Sequence, residues 1–423
     1  MAARARPRWG HPIITAATTL LVVVVVLAIA ARFAPWELPI GDIVVRSRPE
    51  LIHAFPPPDP DSLLTAGRRH DVDVDEQTRP RNVIMVIGDG MGIGQISTAS
   101  ALLHGIGGGL AIDTAPVTGL VSTHAGNELV TDSAASATAM ATGFKVPKKA
   151  ISILPDGSIP VTIFEAAVAA GMSTGLVTTS GLADATPAGF ISHAEKREHY
   201  SDILRGMLAS GTELLIGGDW AAHDKAPRDA DFQEMLGRID DLASNAGYSV
   251  VRDGAELRAV EGRVLALFPP RGRSGSAHGP PLVEVVDFAL GRLGDSEDGF
   301  LLLVESEVTD GRGHANDIAG VTEGIRELDT AVASILAWVE PRGDTLVIVT
   351  ADHDTGGLGI VDGDYDDGVA EVRWATENHT GQWVPLFAFG PGSQSFNGVM
   401  DNTDIGILIA KLLEIEDFPA IHP

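Results

Sequence analysis

The sequence predicts an α/β fold in three layers, with a mostly parallel central sheet and helices on both faces. Three observations carry this. Six short segments are apolar throughout, as strands buried on both faces must be. Longer segments with helical spacing lie between or after them, the alternation that builds parallel sheets through helical crossovers. The chain has 423 residues, 44 % of them hydrophobic, enough for one large core or a few smaller ones.

The N-terminal stretch stands apart from this pattern. Arg4, Arg6 and Arg8 precede an uncharged apolar run from about Ile13 to Ala31, long enough to span a bilayer. The positive flank directs the remaining chain outward. Ala28, Ala30 and Ala31 could form a cleavage site, but the run exceeds the apolar core of a usual signal peptide, so residues 1–35 read as an uncleaved signal-anchor. Residues 36–80, with PPPDPDS and DVDVDEQTRP, lack sustained periodicity and read as a Pro- and acid-rich spacer. The folded domain is expected over residues 81–423.

Within it the elements follow in order. NVIMVIG (82–88) opens the series as a strand, TIFEAAVAAG has helical spacing, and STGLVTT (173–179) and ELLIGG (213–218) are the next strands. FQEMLGRIDDLASNAG and PLVEVVDFALGRL supply helices before the strand FLLLVE (300–305). DIAGVTEGIRELDTAVASILAWVE crosses to TLVIVTA (345–351); PLFAFG (385–390) and the helix DIGILIAKLLEI close the chain. Ligand sites in such sheets lie beyond the strands' C-terminal ends.

Polar residues cluster at those ends. Asp89 follows the first strand in GDGMG; Glu305 ends its strand and is followed by Asp310 and His314; Asp352 and His353 follow TLVIVT; His379 stands just before PLFAFG. The segment after STGLVTT carries Asp184, Thr186 and Arg197. Taken singly, each has a bland explanation as a turn former, a helix cap or a satisfied polar group. Asp310 and His314 are four apart, which suits one face of a helical turn, yet Gly311 and Gly313 suit a tight loop as well. Their joint occurrence is what points to a site.

Residues 130–143, VTDSAASATAMATG, hold almost no bulky side chains, so they form a tightly packed helix, a backbone that a ligand approaches closely, or both. A formal charge of −27 argues against nucleic acid as a dedicated partner. The absence of cysteine excludes disulfides, thiolate ligands and a thiol nucleophile.

Six motifs, in order, resemble the alkaline phosphatase family: DGMG at 89–92, TDSAASATAMATG at 131–143, DATPAGFISHAEKR at 184–197, VESEVTDGRGHAND at 304–317, TADH at 350–353 and HTGQ at 379–382. The resemblance covers nearly all of the chain after residue 81. It implies an alkaline phosphatase-like fold and hydrolysis of small phosphate monoesters through a phosphoserine on Ser133. It also implies two Zn2+ ions and one Mg2+. One zinc would take Asp310, His314 and His379, the other Asp89, Asp352 and His353. Magnesium would take Asp89, Thr186 and Glu305, all oxygen ligands as a hard ion requires, with Asp184 acting on its waters. Asp132 would orient Arg197, the phosphate-binding arginine.

Ser133 at a helix start would meet the positive end of the helix dipole, where phosphate is favoured. The sequence departs from the family at Gly311, where several members carry a Lys, His or Trp that contacts phosphate or water. The connection from His353 to His379 is too short for the crown domain of the animal enzymes, so a homodimer would have to form through other surfaces. A phosphodiesterase of the same superfamily and a membrane-tethered phosphate- or metal-binding protein without turnover are the alternatives. Diesterases generally lack the third metal site, and a non-catalytic descendant would have lost a ligand or nucleophile; none is lost here. With the N-terminal segment, the expected location is extracytoplasmic, periplasmic or at the cell surface, membrane-anchored or secreted.

Overall fold

A computed structural model of the chain describes residues 79–105, 109–220, 229–269, 279–364 and 369–422. The expected signal-anchor, and all but the end of the expected spacer, lie outside them. Among the described residues no helix is long and apolar enough to cross a membrane. The chain is already tied to the fold just before residue 81: Arg79 pairs with Glu414, and the Arg81 amide donates to the Asp344 carbonyl at 2.8 Å.

The strands, in chain order, are β1 (Asn82–Gly88), β2 (Val117–Ser122), β3 (Ser173–Gly181), β4 (Leu214–Gly218), β5 (Tyr248–Val251), β6 (Arg263–Phe268), β7 (Phe300–Ser306) and β8 (Thr345–Thr350). They are followed by β9 (Asp354–Thr355), β10 (Gly359–Asp364), β11 (Val369–Arg373), β12 (His379–Thr380), β13 (Val384–Phe389) and β14 (Gly398–Asp401). Ten of them form one sheet in the order β14-β2-β13-β8-β1-β7-β3-β4-β6-β5, surrounded by helices. Only β13 runs against the rest, antiparallel to both β8 and β2. β1, β7 and β8 are fully buried apolar runs at the centre, where helices on both faces exclude water.

All six expected strands form. Four more complete the sheet. β2 alternates buried and exposed residues as a strand near the sheet margin does, whereas β6, RVLALF, is a buried apolar run of the same kind as the six. The segment FQEMLGRIDDLASNAG, expected as one helix, is two, Ala230–Gly237 and Ile239–Asn245, broken where Arg238 leaves helical geometry. The long helix Ile318–Val339 starts at Asp317, whose side chain accepts from the Gly320 amide.

The Ser133–Thr142 helix is buried along its whole length. Its small residues admit close neighbours: a Cβ on Gly189 would sit 2.8 Å from Ala137 Cβ, and one on Gly406 2.4 Å from the Met140 carbonyl. The helix therefore packs tightly between the helices Ala185–Ile191 and Thr403–Leu412. Its N-cap is Asp132, which accepts from the Ala135 amide at 3.2 Å; Ser133 is the first helical residue and not the cap.

Candidate active site

Sheet register gathers the site. β1 pairs with β7 and β8 so that Ile87 lies beside Glu305 and Thr350, and β3 pairs with β7 so that Thr178 lies beside Glu305. The segments leaving these strands therefore emerge side by side at one edge of the sheet.

Asp310 and His314 lie on the helix Val308–His314, one turn apart, so the helical alternative holds over the loop. His379 opens β12, whose pairing with β9 folds it back over that helix. The three converge: His314 Nε2 is 3.3 Å from Asp310 Oδ1, and His379 Nε2 is 3.4 Å from the same oxygen and 3.2 Å from His314 Nε2. Each outer nitrogen is already committed. His314 Nδ1 lies 2.6 Å from the Glu377 carbonyl and His379 Nδ1 3.0 Å from the Thr131 carbonyl. A carbonyl only accepts, so both Nδ1 atoms carry protons, and in the neutral rings both Nε2 lone pairs point at each other and at a carboxylate oxygen. Three acceptors facing one another at such distances fit a cation, and a backbone carbonyl behind each imidazole is the usual support for a metal-ligating histidine.

Asp89, Asp352 and His353 form the adjoining cluster. Their ligand atoms lie within 4.8 Å of one another, as do those of Asp310, His353 and His379, so His353 borders both groups. Its ring stacks on His379 at 3.6 Å between centroids, with Nε2 3.1 Å from Asp352 Oδ2 and 3.5 Å from Asp89 Oδ1. Asp352 Oδ1 is satisfied by the amides of Gly90 and His353. The opposite oxygen of Asp352, Asp89 Oδ1 and the hydroxyl of Thr186 are buried without a hydrogen-bond partner. Leaving such atoms unpaired is costly, and all three belong to the expected ligand sets.

The acid balance points the same way. Burial, reinforced by Asp352, Asp310 and Glu305, pushes the Asp89 carboxyl well above the usual carboxylate range. Burial likewise drives Glu305 up to about 8, against the hydrogen bond from the Thr178 hydroxyl and with the help of Asp184 and Glu307. The protein alone does not hold these acids ionised together; divalent ions would.

Ser133 stands at the mouth of this cluster. Its Oγ lies 3.3 Å from His353 Nε2. Arg197 reaches in from beyond the Ala185–Ile191 helix, with Nη1 3.4 Å from Asp132 Oδ2 and Nη2 3.1 Å from Asp184 Oδ1. Burial opposes the guanidinium charge, but Asp184 and Asp132 outweigh it and raise the Arg197 pKa. Asp184, expected only beside magnesium, is thus also the second anchor of Arg197. Its other oxygen accepts from Ser180 Oγ at 2.7 Å. All twelve expected residues lie around this one edge.

Three participants escaped the sequence reading. Thr355 Oγ1 donates to Asp310 Oδ1 at 2.6 Å and lies 3.2 Å from His353 Nδ1, tying the two clusters together; it stands in TADHDTGG, close enough to His353 to have been suspected. Thr178 holds Glu305 through a register that no single sequence displays. Ser136 Oγ donates to the Asp352 carbonyl at 2.6 Å, so the Ser133 helix also props the loop that carries Asp352 and His353. Gly90 has a backbone reason for its place: its φ is +69°, and a Cβ there would meet Thr355 Oγ1 at 2.6 Å.

Comparison with known proteins bears on this geometry. The family model described as alkaline phosphatase matches residues 80–366 and 362–415. The chain is 30 % identical to alkaline phosphatase 3 of Bacillus subtilis (strain 168), over 80 % of this chain and 90 % of that protein. It is 31 % identical to the alkaline phosphatase of Escherichia coli (strain K12), over 77 % of this chain and 84 % of that one. Among solved structures it resembles a variant of the TAB5 alkaline phosphatase with Mg bound in its M3 site, at TM-score 0.68 and 29 % identity over 80 % of this chain and 99 % of that one.

Proposed function

The chain belongs to the alkaline phosphatase family and is a phosphoric monoester hydrolase, and from that premise we propose that it works through a phosphoserine on Ser133 at a site of two Zn2+ ions and one Mg2+. Asp310, His314 and His379 would hold one zinc, Asp89, Asp352 and His353 the other, and Asp89, Thr186 and Glu305 the magnesium. The ions would supply Lewis acidity toward phosphoryl oxygens and a positive field that favours an ionised hydroxyl.

The remaining steps belong to the protein. Ser133 Oγ, at the first turn of a ten-residue helix, meets the phosphoryl group where backbone N–H groups and the helix dipole favour negative charge. Arg197, held between Asp132 and Asp184, presents its two outer nitrogens to two phosphoryl oxygens. Ser133 Oγ gives up its proton to solvent and forms a bond to phosphorus as the ester P–O bond breaks, and the departing alkoxide takes a proton from solvent to leave as the alcohol. Water then attacks the phosphoserine, releasing inorganic phosphate and restoring the serine. Small residues around Ser133 let the substrate approach the backbone. Gly311 withholds one of the phosphate or water contacts that several relatives possess.

The observation that carries this reading is the meeting of His314 Nε2 and His379 Nε2 at 3.2 Å, each with its other nitrogen bound to a carbonyl. The expected extracytoplasmic location rests on the arginine-flanked segment at residues 1–35 and is part of the same proposal. Metal-replete protein assayed on a monoester and its matched diester tests the reading. Faster monoester turnover is expected, and a diester turned over equally well would favour a diesterase.

A further inference from the structure

Away from this centre, a second group of metal-ligating side chains closes the end of the chain onto the Ile163–Ala169 helix. Glu165, His193 and His422 bring one ligand atom each to within 4.8 Å of one another.

Each is held by its own local structure. Glu165 belongs to a capping box: its Oε2 accepts from the Thr162 amide at 2.8 Å, and its own amide donates to the Thr162 hydroxyl. His193 follows the Ala185–Ile191 helix, with Nδ1 2.7 Å from the Ser152 carbonyl. His422 arrives on the last residues of the chain. The Val161 amide donates to the Ala420 carbonyl and the His422 amide to the Ile159 carbonyl, pairing the tail with residues 159–161. That pairing sets His422 Nε2 3.3 Å from Glu165 Oε2, with its ring edge-on to His193 at 5.7 Å between centroids.

The tautomer decides what the group can hold. Because the Ser152 carbonyl only accepts, His193 Nδ1 carries a proton, and Nε2 of the neutral ring turns its lone pair to Glu165 Oε1 at 2.9 Å. Two acceptors at that distance require a positive species between or beside them. A second proton on His193 would satisfy this pair, and His422 would then only donate from its Nε2–H to Glu165 Oε2, 3.3 Å away. A metal ion uses all three. One carboxylate and two imidazoles, one of them backed by a backbone carbonyl, are the three-ligand set of an open zinc site. His193 Nε2 lies 2.9 Å from Glu165 Oε1 and His422 Nε2 3.3 Å from the other oxygen, Oε2, so the carboxylate faces both imidazoles near the spacing of about 3.3 Å that metal–ligand bonds of about 2.0–2.1 Å give between tetrahedral ligands.

We propose that Glu165, His193 and His422 form an additional site for a single zinc-type divalent ion, which staples the C-terminal tail to the Ile163–Ala169 helix. The site borrows no residue from the candidate catalytic centre, so its occupancy is separable from turnover.

The test compares full-length protein with His422→Ala, both equilibrated with zinc, washed of excess and measured for bound zinc. His422 is exposed and outside the catalytic machinery, so the variant should fold and keep monoester turnover. The wild type should hold one more equivalent of zinc per chain, and zinc should slow amide exchange at Val161 and His422 by about 10-fold or more in the wild type only. Equal zinc content in the two proteins would overturn the proposal and leave Glu165 and His193 as a plain ion pair. Because the readout is a difference in bound metal, it stands whether or not the phosphatase reading does.

Discussion

Ser133 Oγ lies 3.3 Å from Nε2 of His353, a residue 220 positions later in the chain. The nucleophile expected of this family has no histidine near it in sequence. The fold supplies one by setting the Ser133 helix against the loop that leaves β8. Ser136, one turn on, donates to the Asp352 carbonyl, so the hydroxyl and the loop are fixed relative to each other by a second contact. A phosphate at Ser133 would therefore sit directly beside the residues expected to hold metal.

Replacing Ser133 with alanine should abolish the phosphoenzyme and lower monoester turnover by about 10³-fold or more, because no other hydroxyl shares this position. Acid-quenched enzyme analysed by peptide mass spectrometry reports the modified residue. A phosphate found on a different side chain would refute the assignment whatever the rate.

Chelation should inactivate the protein, and zinc with magnesium should restore it. The stripped protein should also melt lower, by roughly 5 °C or more, since the proposed ions would bind only the folded site and their loss would leave buried carboxylates and facing lone pairs uncompensated. Bound metal and calorimetry are read on the same sample. Full turnover at zero bound metal is the result that would remove the metals from the mechanism.

Much of this site was legible because the family motifs fall at strand ends, and strands buried on both faces betray themselves as unbroken apolar runs. NVIMVIG, FLLLVE and TLVIVT became the three central neighbours, and the residues just past them became the candidate ligands. What stayed hidden depends on register and strand order. Thr178 reaches Glu305 only because β3 is parallel to β7 at that offset, and β13 reads like a central strand although it runs antiparallel. The second partner of Arg197 was hidden for a similar reason: Asp184 and Arg197 are thirteen residues apart, and only the intervening helix turns them toward each other.

At the end of β14, Asp401 gives a pH prediction. Burial would raise its pKa, but the His124 hydrogen bond, the Lys145 charge and donors from Ser122 and Thr403 hold it well below the usual carboxylate range. Lys145 Nζ is 3.0 Å from Asp401 Oδ1. A carboxylate whose folded pKa is depressed stabilises fully above its unfolded value of about 3.9 and loses that contribution as the pH falls. Asp401→Asn should therefore cost about 3 kcal/mol near pH 7, the low end for breaking a buried pair, since Lys145 keeps the His124 carbonyl and Asn402 Oδ1 as acceptors. Denaturant unfolding across pH checks this. The gap between the two proteins should shrink below about pH 4, and a gap that widened there would contradict the assignment.

Arg197 should set the preference for monoesters. A monoester offers terminal oxygens that a guanidinium grips at two points, whereas a diester has one of them blocked by its second substituent. The grip is prearranged, because Asp132 and Asp184 each hold one of the two outer nitrogens. Charge-assisted hydrogen bonds contribute roughly 1.5–3 kcal/mol, so Arg197→Ala should lower monoester kcat/KM by about 10- to 150-fold and diester turnover much less. Removing the arginine also frees two carboxylates at the site, so bound metal must be measured alongside the rates to separate lost grip from disturbed ligands. With metal content unchanged, the monoester-to-diester ratio should fall severalfold, and by the full loss of about 10- to 150-fold only if the diester rate is untouched; a ratio equal to that of the wild type would take Arg197 out of this role.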